Sequence, residues 1–146
     1  LVTGVQTCAL PIFADFYLSA TQVSGNVQKS STDTTAVILP IGAVITEIQA
    51  NAAGTGGTNP TFDLGFTLYS TGTASPEALL NEADADAGKQ VFNWATATVP
   101  GASLGAVMST SELVYITGRK GASAATGGSI SGRITYYVPT SGAYTA

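Results

Sequence analysis

From Thr61 to Tyr69 the chain alternates strictly, with Phe62, Leu64, Phe66 and Leu68 on one side of an extended backbone and Thr61, Asp63, Gly65, Thr67 and Tyr69 on the other. A helix would scatter those apolar side chains round its circumference. Successive residues of a strand point to opposite faces, so the segment reads as a strand with one buried face. Arg133–Val138 repeats the pattern, with Ile134, Tyr136 and Val138 facing one way. Asp15–Val23 places Phe16, Leu18 and Ala20 together, and Val91–Val99 does the same for Phe92 and Trp94. Thr34–Leu39 and Ala43–Ala50 flank Pro40-Ile41-Gly42, a tight connection because Pro fixes φ and Gly accepts positive φ. Leu113–Ile116 is an unbroken apolar run, as expected of a central strand covered on both faces. About seven or eight short strands between Gly, Pro and Asn predict an all-β fold, a single β-sandwich with a jelly-roll-like wrap.

One segment departs from period two. Ser75-Pro76-Glu77 combines an N-capping side chain, a first-turn proline and a carboxylate suited to a helix N-terminus, and Gly88 follows as a stop. The spacing predicts one short helix near 75–86, covering an edge or end of the sandwich. Gly-rich polar stretches at Ala52–Pro60 and Gly118–Ser129 read as loops, the second carrying Arg119 and Lys120 at a hairpin tip.

Residues 2–12 (VTGVQTCALPI) resemble, residue for residue, the translation of a sequencing-library adapter. They are set aside as foreign, leaving residues 13–146 as one expected β-sandwich domain. The sole Cys lies in the set-aside segment, and the chain has no His. Residues 13–146 therefore offer no disulfide, no thiolate nucleophile, no His-based triad and no zinc site built on Cys or His. No stretch approaches the roughly 20 apolar residues of a membrane span. Charge is sparse, with five basic and nine acidic residues and a net charge of −4. That balance argues against binding a nucleic-acid backbone, which needs clustered Lys and Arg. Abundant Gly, Ser, Thr and Ala with little Lys or Glu fit a surface largely covered by neighbouring subunits.

Few residues suggest chemistry. Glu82, Asp84 and Asp86 sit at alternate positions, and clustered carboxylate oxygens can hold Ca²⁺. The glycine and closing Glu of a calcium loop are missing, so a solvated acidic segment is the preferred explanation. Asp63, mid-strand, could be one half of a glycosidase carboxylate pair, although an outward strand residue paired with a neighbour explains it better. Gly54-Thr55-Gly56-Gly57 lacks the Lys-Ser/Thr of a phosphate loop and reads as a turn. No catalytic residue, metal or cofactor is assigned. Trp94, Arg119 and Lys120 are the candidates for subunit or ligand contact.

The stretches Leu39-Pro40-Ile41-Gly42-Ala43-Val44-Ile45-Thr46-Glu47-Ile48 and Gly57-Thr58-Asn59-Pro60-Thr61-Phe62-Asp63-Leu64-Gly65 resemble small virion structural proteins of tailed phages. In that group the pattern is usually LPxGAxI, a strand, a polar turn and then TLDLG. The acidic-alanine run Glu82–Gly88 and the Tyr-rich strand Ile134–Pro139 fit the same picture. Here Phe62 stands where others carry an aliphatic residue before Asp. The resemblance implies a β-sandwich on or within the particle, decorating or stabilising the capsid without chemistry. It also implies capsid or other virion proteins as partners and a homo-oligomer, with no nucleic acid and no membrane. The alternative is a carbohydrate-binding or adhesin-like module of a fibre or cell surface, extracellular rather than in the virion, with Trp94 in its cleft. A hydrolase is disfavoured by the lack of His and of any nucleophile motif.

Overall fold

The computed structural model describes residues 10–18, 37–53, 57–93, 101–121 and 128–139. In chain order the strands are β1 (Ile12–Leu18), β2 (Ile38–Leu39), β3 (Val44–Ala53), β4 (Thr61–Leu68), β5 (Ala74–Asp84), β6 (Lys89–Asn93), β7 (Val114–Lys120) and β8 (Ser129–Tyr137). They form two four-stranded antiparallel sheets, ordered β1-β8-β3-β6 and β2-β7-β4-β5. Every connection crosses between the sheets except β4 to β5, so most neighbours within a sheet are distant in sequence.

The alternation read from the sequence places the core. Phe62, Leu64 and Phe66 of β4 turn inward to meet Ile45, Ile48, Ile130 and Ile134 from the facing sheet, all buried. Phe16, Leu18 and Phe92 join the same cluster. Each such side chain contributes about 1.5–3 kcal/mol on leaving water. β7 is buried on both faces from Val114 to Gly118, as its unbroken apolar start anticipates. At Gly42, φ is +82°, and Ala43 donates to the Pro40 carbonyl at 3.2 Å, closing the expected turn.

The expected helix near 75–86 is strand β5, and no helix occurs among the described residues. Two facts outweigh the capping signal. β4 needs a partner on its second side, and β5 supplies it from Ala74 to Asp84. The acidic run itself is also a period-two pattern, with Ala83 and Ala85 buried while Asp84 and Asp86 are exposed. Ser75-Pro76 instead begins an excursion, where the register jumps from Leu64↔Leu80 to Phe66↔Ser75. β5 is an edge strand, so the missing N–H of Pro76 is tolerated there.

Arg119 and Lys120 also differ from expectation. They belong to β7, not to a loop tip, and β7 and β8 lie in different sheets, so they form no hairpin. Residues 119 and 120 are held in the ladder because Asp63 and Phe62 of β4 are their register partners.

Candidate functional site

The outward face of the β2-β7-β4-β5 sheet carries the buried polar residues found among those described, Asp63, Thr67 and Thr117. Asp63, Gly65 and Thr67 of β4 stand opposite Arg119, Thr117 and Tyr115 of β7. Alternation alone would leave this side wet, yet Asp63 and Thr67 are 0% exposed and Thr117 and Tyr115 nearly so. Part of the cover is the β5 excursion. A methyl group built on Gly65 would meet the Ser75 carbonyl oxygen at 1.9 Å and Pro76 backbone atoms at 2.6–2.8 Å. Only glycine permits that approach.

Asp63 is bound on both carboxylate oxygens. Its Oδ2 accepts from Arg119 Nε at 2.6 Å, and its Oδ1 accepts the Glu82 backbone N–H at 2.8 Å. Arg119 Nη2 reaches Glu77 Oε2 at 2.7 Å, so one guanidinium ties β7 to β4 and to the β5 excursion. The Asp63 hydrogen bond and then its charge raise the Arg119 pKa further above its usual value, against some loss from burial. Glu82 has φ +58°, a left-handed conformation uncommon for a residue with a side chain. It marks a bulge, because the register slips between Phe62↔Ala83 and Leu64↔Leu80. Asp63 holds its N–H, and the Thr61 hydroxyl donates to its carboxylate. Asp63 is therefore buried and matched by the Arg119 guanidinium, a brace that ties β4 to β5 and β7.

The acidic run is dispersed by the same geometry. Glu82 turns to Thr61, Asp84 Oδ1 accepts the Asp86 N–H at 2.8 Å, and Asp86 points to solvent from the turn before β6. No group of three metal-ligating side chains gathers among the described residues. Lys120 is exposed at the end of β7, and Trp94 lies outside the described residues.

A feature missed from the sequence is an apolar end to the sandwich. Ile38, Ile41, Tyr69, Val107 and Leu113 are each 37–45% exposed. Backbone contacts collect them where β2 and β4 end and β7 begins. Tyr69 N donates to Leu113 O at 2.9 Å, Gly42 N to Ser109 O at 2.8 Å, and Val44 bridges Val107. Tyr69 packs edge-on against Tyr115 with ring centroids 6.4 Å apart, and Tyr115 is the register partner of Ile38. Signals for such a patch are weak in one dimension, because its members come from four separate segments.

No family model matches this chain, and no curated protein does. Among solved structures, a chain of the cyanophage Pam1 capsid asymmetric unit is similar, with 18% identity and a TM-score of 0.45. The match covers 95% of this chain and 92% of that chain.

Proposed function

We propose that the chain is a non-catalytic structural module of a tailed-phage particle, docked against capsid or other virion proteins and self-associating. The observation that carries this reading is the apolar end formed by Ile38, Ile41, Tyr69, Val107 and Leu113. Exposed apolar side chains gathered towards one end of a β-sandwich are suited to an interaction surface. On a chain with only 10% charged residues, little of the remaining surface opposes close packing by charge repulsion. The resemblance of residues 39–48 and 57–65 to tailed-phage structural proteins supports the same reading. The strand orders 1-8-3-6 and 2-7-4-5 are those of an eight-stranded jelly-roll wrap, an architecture of capsid and lectin domains. Decoration of the outer capsid surface is the particular role we favour.

Recovery of the complete gene with its neighbours tests the particle role. Adjoining major-capsid, portal or head–tail genes support it, and neighbours for secretion or polysaccharide degradation overturn it. Sedimentation velocity tests the surface: the full chain self-associates, and Leu113→Asp or Ile41→Asp dissociates it without lowering the melting temperature. A monomer at all concentrations removes the homo-oligomer.

A further inference from the structure

The outward face of the β1-β8-β3-β6 sheet is open, in contrast to its counterpart. Phe13, Tyr17 and Val91 on this face are 54–61% exposed. Register brings the outward residues into two adjacent rows, Asp15–Arg133–Gln49–Val91 and Tyr17–Ser131–Asn51–Lys89. Between them lies a hollow of about 360 Å³, lined by Asp15, Gln49, Asn51, Lys89, Ser131 and Arg133. Gly132 and Ala50 also line it where β8 and β3 approach closely. The small Ser131 side chain leaves the space open, with Tyr17 beside it on β1 and Asn51 beside it on β3.

We propose that this hollow binds a neutral oligosaccharide, a role separate from the apolar end and independent of it. The volume falls within the roughly 300–1,000 Å³ of small-ligand sites. Its lining mixes donors and acceptors at fixed spacing: two carboxamides, a hydroxyl, an ammonium group and an ion pair. A sugar offers adjacent hydroxyls that both donate and accept, which suits Asn51, Ser131, Lys89 and the Gln49 carbonyl oxygen, while Gln49 Nε2 already donates to Glu47 Oε1 at 3.2 Å. A free anion is a poorer match. Arg133 is committed to Asp15, donating from Nε at 2.7 Å and from Nη2 at 3.2 Å, which leaves Lys89 as the one uncommitted cation of the lining. Tyr17 does not line the hollow but stands next to it as the register partner of Ser131, where its exposed phenol ring presents a flat surface for the C–H face of a pyranose while its hydroxyl stays wet. All of these groups stand on strands, which hold geometry better than loops do.

The test is titration of the full chain with neutral oligosaccharides of glucose, xylose, mannose and galactose, followed by calorimetry and by amide chemical shifts. Saturable binding to at least one of them is expected. Tyr17→Ala and Asn51→Ala should each weaken it about tenfold or more, close to 1.4 kcal/mol. Both residues project from the open face, so the variants should keep the wild-type melting temperature, and a variant that does not is replaced by Tyr17→Ser or Asn51→Ser. The proposal is overturned by no binding at millimolar sugar, or by binding that both variants retain. It is also overturned if inorganic phosphate binds where sugars do not and Lys89→Ala abolishes it, or if Tyr17→Ala dissociates an oligomer that covers the face.

Discussion

Replacing Arg119 by Ala would strand the Asp63 carboxylate inside the protein, still accepting from the Glu82 N–H but without its cation. Removing one partner of a buried ion pair costs about 3–5 kcal/mol, because the other charge is left desolvated and unmatched. Asp63 is 0% exposed while the Arg119 side chain is 28% exposed, so the two deletions are not equivalent. Arg119→Ala should approach the upper end of that range. Asp63→Asn should cost less, about 1.5–3 kcal/mol, since Arg119 keeps water and Glu77 and the amide oxygen can still accept from Glu82. The double variant Asp63→Leu/Arg119→Met should recover much of the loss, because apolar pairs of similar volume often replace buried ion pairs without penalty. Urea denaturation with the slope checked for constancy reads all three, and a loss of about 3 kcal/mol corresponds to a melting temperature lower by about 10 °C. An Arg119→Ala cost of about 1 kcal/mol or less, typical of an exposed pair, would refute the claim that Asp63 is buried and matched by Arg119.

Further perturbations separate the other structural claims. Gly65→Ala drives a methyl group into the Ser75 and Pro76 backbone, so it should cost about 3 kcal/mol or more and shift amide resonances along β5. Leu79→Ala and Leu80→Ala should each cost about 2–5 kcal/mol by urea melts, as both side chains are fully buried, and a neutral Leu79→Ala would contradict the β5 excursion. Asp15 is held below the usual carboxylate range by its hydrogen bond to Arg133, then by that residue's charge. Its contribution to stability is therefore full above the unfolded pKa near 3.9 and disappears as pH falls through the lower folded value. The melting-temperature gap between wild type and Asp15→Asn should accordingly close on acidification below about pH 4, and a gap that widens there would refute the assignment.

Much of the fold was legible because the side-chain period of a strand is written directly in the residues. Thr61–Tyr69 and Arg133–Val138 needed no partner to declare themselves, and the apolar face read in each is the one turned to the core. The Pro40–Gly42 turn was equally local, since proline and glycine restrict or extend their own backbone angles. β5 was misread for a related reason. Ser75-Pro76-Glu77 satisfies a local helix-start rule, and the competing alternation of Ala83 and Ala85 with Asp84 and Asp86 is short and weakly apolar.

What tertiary structure alone decided is which outward faces stay outward. By period two, Asp63 and Asp15 look alike, each a carboxylate on the polar side of a strand. One is buried and held by Arg119 and the Glu82 N–H, and the other stands exposed beside an open hollow. The difference arises from residues distant in sequence, through the register of β4 with β5 and of β8 with β1 and β3. Alternation determined that each strand has two faces. Burial of those faces depends on what the remaining chain lays over them, and only packing in three dimensions sets that.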